Sequence, residues 1–275
     1  MSQKYARSKL NQGQIEVLEL LYKYRFGSRQ LLAISLKVNA ANGLYEKLEA
    51  LVSNGYIDRR FDKRLKLQGK PVAYHLLPKG LRVLQALPRH EYINEQAMRL
   101  CYQNKRVGNA HVEATLNIYK YTQHLQKQYP GLKVFTQQDM SHYSYFPKPL
   151  PDIFLSLPST DVKNPHRFFL DIVQEHTPRY VLDRRLASYV EFFDEGGWDK
   201  VSSELPVLLV VNERNAAEKS TQRSVQAQLQ RLGSELRAYT ATVSAIENAA
   251  VDRSVWTDVN DTDDVVALDE ISVNS

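Results

Sequence analysis

Residues 205–211 read LPVLLVV, and no other stretch restricts the fold of this chain as strongly. A strand with one wet face alternates apolar and polar residues, whereas a run this uniformly apolar fits a central strand covered on both faces. Such covering takes helices, so the flanking sequence has to supply layers. LKVFTQ, PDIFLSL and RFFLDIV have strand character, with the Tyr- and Pro-rich loop SHYSYFPKPLP between the first two. TPRYVLDRRLASYVEFF keeps Leu182, Leu186, Tyr189, Val190 and Phe193 at helical spacing until Gly196-Gly197 closes it. A polar helix over about 215–237 and the strand AYTATV complete an α/β pattern.

Two acids stand at informative points of this sheet. Alternation in RFFLDIV places Asp171 on one face with Phe169 and Val173, a charge among apolar neighbours that needs a partner. Asp152 follows Pro151 at the start of PDIFLSL, where antiparallel pairing brings it toward Asp171. Two carboxylates converging at a strand end could hold Mg²⁺, which takes oxygen ligands and activates water for phosphodiester attack. Glu175 and His176 are candidate further ligands. The structural alternative is equally concrete: Asp152 is a turn residue after proline, and Asp171 pairs with Arg184 or Arg185 of the next helix.

The first ninety residues have a different character. They hold 17 Lys and Arg against 6 Asp and Glu, residues 91–246 hold 18 against 17, and residues 247–275 hold one Arg and eight acids. A surplus of this size suits a polyanion, because cations gain affinity by releasing counterions condensed on phosphates. QIEVLELLYKY places Ile15, Leu18, Leu21 and Tyr22 on one helical face, ended by Gly27. Ser28 is positioned to cap a short second helix and Asn39 a third, whose stripe is Leu44, Leu48, Leu51 and Val52 up to Asn54-Gly55. Tyr56-Ile57 then opens a strand, VAYHLL returns as its partner, and PKGLRVLQAL starts a helix at proline with Leu81, Leu84 and Leu87 inward.

Helix, helix, helix, hairpin, helix is the order of a winged helix-turn-helix, which sets its third helix in the major groove and its hairpin along the adjacent backbone of double-stranded DNA. Arg59, Arg60, Lys63, Arg64, Lys66 and Lys70 crowd the hairpin and are read as phosphate contacts. Asn39 and Asn42, at the start of the third helix, are candidates for adenine. Glu46 and Glu49 on the same helix oppose phosphate, so a module that docks on a protein partner or on a second copy stays open.

The length of 275 residues suits two modest domains, placed at 1–90 and 91–246 with an acidic segment 247–275 behind them. Residues 91–130 read as helical, with Val112, Leu116, Tyr119 and Leu125 on one stripe and His111 as a packed or solvent-facing side chain. The single cysteine, Cys101, forms no internal disulfide or thiolate cluster and reads as a small buried hydrophobe. No apolar run approaches the roughly 18 residues of a membrane span, and MSQKYARSKL lacks the apolar stretch of a secretory signal, so a cytoplasmic protein is expected.

Taken in order, GYIDRR, AYHLLPKG, His111, Pro151-Asp152, FFLDIVQE, RRLASY, LPVLLVV and the segment SVWTDV around Trp256 resemble the bacterial plasmid replication-relaxation family. The resemblance implies a winged helix-turn-helix followed by a restriction-endonuclease-like α/β domain of the PD-(D/E)xK type, an α+β chain overall. It implies an acidic tail ordered to about Leu268, and DNA binding for a mobile element in plasmid replication, relaxation or conjugation. A working nuclease of that type carries a lysine two residues after the strand acid to orient water; this chain has Val173. Arg185, where the family tends to have a basic residue, or its neighbour Arg184 could stabilise charge, but an always-protonated guanidinium is a poor base. The expectations are therefore a non-catalytic DNA-binding accessory or regulator, or a Mg²⁺-dependent endodeoxyribonuclease using Asp152 and Asp171. Transcriptional repression would differ from the first only in target position.

Overall fold

The computed structural model describes residues 10–60, 69–159, 165–175, 177–249 and 253–271. The chain is mixed α and β and divides into two compact units, residues 1–119 and 120–275.

The first unit is built on short capped helices. Helix α1 (Gln12–Tyr24) starts at Asn11, whose side chain accepts the Gln14 N–H at 2.9 Å while Gln14 returns the bond to the Asn11 N–H at 3.0 Å. Ser28 caps α2 (Arg29–Leu36) through the Leu31 N–H, as its position suggests. Helix α3 (Asn42–Ser53) buries Leu44, Leu48 and Leu51. Its cap differs from expectation: Ala41 is the N-cap and Asn39 instead accepts the Ala41 N–H at 3.1 Å, a local turn that competes with capping. Gly27 does not end α1 either, because Phe26–Gly27 forms a two-residue strand β1. Strands β2 (Ile57–Arg60) and β3 (Ala73–Leu76) pair antiparallel from Ile57↔Leu76 to Arg60↔Ala73, and β1 adds to the other side of β3.

Helix α4 (Pro78–Gln85) closes the hairpin. The Tyr56 carbonyl accepts the Leu77 N–H at 3.0 Å, and a Cβ on Gly80 would lie 2.3 Å from that same oxygen, so only glycine lets the helix approach. Helix α5 (Glu95–Gln103) follows, and α6 (Asn109–Gln128) contains the division between units. The boundary expected at residue 90 therefore moves. Ile93, Ala97, Cys101 and Tyr119 belong to the same core as Leu18, Leu32, Leu48 and Leu81, and this shared burial binds residues 91–119 to the first unit.

The second unit is a seven-stranded sheet among the described residues: β4 (Lys133–Thr136), β5 (Ile153–Leu157), β6 (His166–Val173), β7 (Val207–Asn212), β8 (Ala238–Thr242), β9 (Trp256–Asp258) and β10 (Val265–Val266). They neighbour one another in sequence order. The central pairs β6–β7 and β7–β8 are parallel and the outer pairs antiparallel. Every residue of β7 is buried, as the apolar run requires. Between strands lie the short α7 (Gln137–Met140), then α8 (Arg179–Asp194), α9 (Glu218–Leu232) and α10 (Val243–Asn248). Phe154, Phe169, Leu208 and Val210 pack under Leu186, Tyr189 and Phe193 of α8 and Val225 and Leu229 of α9. Burial of that apolar surface, at roughly 25 cal/mol per Å², is what holds the helices to the sheet.

Trp256, Val259, Leu268 and Ile271 are buried, the Leu268 N–H donates to the Tyr129 hydroxyl at 3.0 Å, and Arg253 pairs with Asp269 at 2.9 Å.

Candidate functional site

The antiparallel register of β5 and β6 sets Ile153 opposite Leu170, and one step further along it sets Asp152 opposite Asp171. At this step side chains replace the backbone ladder. The Asp152 N–H donates to Asp171 Oδ1 at 3.2 Å, and the Ile172 N–H donates to Asp152 Oδ2 at 2.9 Å. Helix α8 brings its own polar pair to the same place. Arg185 Nη1 lies 2.5 Å from Asp171 Oδ1 and 3.2 Å from Asp152 Oδ1, and the Tyr189 hydroxyl, one turn further, donates to Asp171 Oδ2 at 2.9 Å. Gln137 of α7 approaches Asp152 Oδ1 at 3.4 Å. Of the two arginines considered from sequence, Arg185 turns inward and Arg184 is exposed.

Asp171 is 1% exposed. Burial pushes its carboxyl up to about 6 and the Asp152 carboxylate adds to the rise, while Arg185, the Tyr189 hydroxyl and the Asp152 N–H oppose it. The Tyr189 hydroxyl is held well above its ordinary value, first by burial and then by Asp171, so it donates and does not ionise.

These donors do not fit a divalent cation as arranged. All four carboxylate oxygens already accept hydrogen bonds, and the Arg185 guanidinium occupies the space between the two Oδ1 atoms. Among the described residues no group of three or more His, Cys, Asp and Glu could hold a metal ion. Glu175 faces Arg214 at 3.6 Å, and His176 lies outside the described residues. Val173, two residues after Asp171, has no group to orient water. Tyr189 and Gln137 were missed by sequence reasoning. Tyr189 sits on the apolar stripe of α8, and the signal that could have found it is its place four residues after Arg185, on the same helical face.

In the first unit Asn39, in the turn before α3, and Asn42, the first residue of α3, are both exposed. The hairpin cations divide. Arg59 is paired with Glu49, and Lys70 with Glu113 at 2.5 Å. Arg60 donates to the Val107 and Asn104 carbonyls and to Asn109 Oδ1, and Arg25 donates to Asn104 Oδ1 at 2.9 Å and to His111 Nε2 at 3.0 Å. His111 accepts and is therefore neutral. Arg25 and Arg60 thus meet neutral acceptors, with no carboxylate partner among the described residues. Lys63, Arg64 and Lys66 lie outside the described residues. Cys101 is buried, its thiol donating to the Leu76 carbonyl and pushed up to about 11 by burial. No helix among the described residues is long and apolar enough to cross a membrane.

No protein-family model matches the chain, and no curated protein matches it. Among solved structures, a mutant of Lactococcus lactis ZitR is similar at 17% identity over 46% of this chain and 81% of that one, with a TM-score of 0.26. The restriction endonuclease FokI bound to DNA is similar at 12% identity over 85% of this chain, with a TM-score of 0.30. This chain spans 43% of the FokI chain. At these TM-scores neither likeness carries an argument about the present protein.

Proposed function

We propose that the chain is a DNA-binding protein whose first unit is a winged helix-turn-helix and whose second unit is a restriction-endonuclease-like domain that binds without cutting. The observation that carries this reading is the placement of Arg185 between Asp152 and Asp171, which puts a fixed positive charge where a nuclease needs an exchangeable metal and its activated water. DNA as the partner is supported by the 17 to 6 excess of cations in the first ninety residues, and by Arg25 and Arg60 meeting no acid. The finer reading, an accessory or regulatory role in replication, relaxation or transfer of a mobile element, rests on the order of sequence motifs alone.

The test is incubation of the purified chain with supercoiled plasmid in EDTA, Mg²⁺ or Mn²⁺, run with and without proteinase treatment. Retarded DNA that returns to intact supercoils after digestion is expected in all three. Divalent-dependent nicked or linear product, lost in Asp171→Ala, would overturn the non-catalytic reading; no retardation would remove DNA as the partner.

A further inference from the structure

In the first unit, the end of α5 and the start of α6 are gripped by two arginines from distant points of the chain. Arg25, the C-cap of α1, donates to Asn104 Oδ1 from Nε at 3.3 Å and from Nη2 at 2.9 Å, and to His111 Nε2 from Nη1 at 3.0 Å. Arg60, the last residue of β2, donates to the Asn104 and Val107 carbonyls and to Asn109 Oδ1. Two guanidiniums and an imidazole therefore converge on one segment. The acids closest to them in sequence are engaged elsewhere: Asp58, on the same face of β2 as Arg60, accepts from the Arg59 N–H at 2.8 Å and faces Lys105 at 3.3 Å, and Glu113 pairs with Lys70.

We propose that Arg25 and Arg60, with His111 between them, bind one phosphodiester group of the DNA backbone. The site rests on the DNA-binding reading above and adds a contact outside α3 and the tip of the hairpin. Electrostatics carries the argument. Like charges brought together in partly buried positions raise one another's energy, and a carboxylate ordinarily offsets this. Among the described residues every acceptor that Arg25 and Arg60 meet is neutral. Burial holds the Arg25 guanidinium below its ordinary value, and burial, then Arg25, then Arg60 hold the His111 imidazole below its own. One anion would relieve all three groups. The bonds described engage at most three of the five N–H groups on either guanidinium, and the remaining donors of such a fork match paired phosphate oxygens.

The backbone supplies a second observation. Arg25 has φ 62° and ψ −46°, a conformation that glycine adopts far more readily than a residue with a side chain. Strain of this kind persists only where the surrounding structure holds it, and it collects at binding sites. Here it accompanies a side chain aimed at Asn104, which is buried, and at His111. His111 and Asn109 are exposed while Arg25 and Arg60 are half-buried, so the cluster lies open at the surface. An open site suits one phosphate of a long polymer, whose other contacts keep it in place, better than a small molecule that needs enclosure.

Fluorescence anisotropy of a labelled DNA duplex, titrated with the full chain over a range of NaCl concentrations, tests the site alongside melting temperatures. Arg25→Gln and Arg60→Gln should each weaken binding about tenfold, as loss of one charge-assisted hydrogen bond implies. The two combined should flatten the slope of log K against log salt by about 0.9, the share of one phosphate contact. His111→Glu, at an exposed position, supplies the absent acid: it should raise the melting temperature by pairing the arginines and weaken DNA binding about tenfold or more. Arginines that serve only to hold α5 to α6 would instead give glutamine variants that melt earlier and bind with the parent's slope. That result, or a His111→Glu variant that binds DNA like the parent, overturns the proposal. Should a glutamine variant fail to fold, His111→Glu decides alone. A parent that binds no duplex removes the DNA reading and this site with it, whereas parental binding retained by the variants overturns the site alone.

Discussion

Arg185 is the residue on which the candidate site turns. It offsets two carboxylates, one of them almost fully buried, and removing one member of such a group leaves charge uncompensated at a cost of about 3–5 kcal/mol. Arg185→Met keeps an unbranched stem and removes the charge, so urea denaturation at pH 7.5 should show a loss of that order. The pH dependence has a definite sign. The folded-state value of Asp171 is raised to about 6 from 3.8, so its protonated form favours folding below 3.8 and that contribution is lost as pH rises through about 6. The deficit of Arg185→Met should therefore shrink at pH 4, where Asp171 holds its proton; an equal deficit at both values would mean that the guanidinium acts through packing alone. The juxtaposition of Asp152 and Asp171 was legible because neighbouring antiparallel strands with acids near their adjoining ends leave few arrangements. Which of Arg184 and Arg185 turned inward was not, since both stand next to the Leu182–Leu186 stripe. Tyr189 was hidden by its ring, which reads as core, while its hydroxyl does the polar work.

At the level of elements, strands and helices with strong periodicity were readable, and short ones were not. Strand β1 has two residues and β10 two, too few for any pattern, and they exist because β3 and β9 present backbone groups to pair with. Within residues 247–275, acidic in composition, Trp256, Leu268 and Ile271 are fully buried. Trp256→Ala should cost about 3–5 kcal/mol, and removal of everything after Glu247 should lower the melting temperature of the second unit further. Circular dichroism melts check both; a truncated chain melting like the full one would show that β9 and β10 contribute nothing to the sheet. The domain division moved from residue 90 to 119 for a related reason. Periodicity identifies the helices after residue 91 but not the core against which they pack.

Across the whole molecule the charge asymmetry is a long-range property that no single contact represents, and its signature is ionic-strength dependence. Under the DNA-binding reading proposed above, Arg59 and Lys70 are engaged with acids and Arg60 with neutral acceptors, and the test falls on the three other hairpin cations, Lys63, Arg64 and Lys66. Replacing these three with alanine should flatten the slope of log K against log salt by about 3, at roughly 0.9 per phosphate contact. A slope unchanged from the parent would locate the DNA elsewhere.

The closure beneath the hairpin has a wider consequence. Pairing of Arg60 with Ala73, the Tyr56 carbonyl bonded to Leu77, and Gly80 seated against that carbonyl fix both roots of the arm. The two roots are thereby held from outside the arm, so descendants of this chain could exchange residues at its tip on an unaltered foundation.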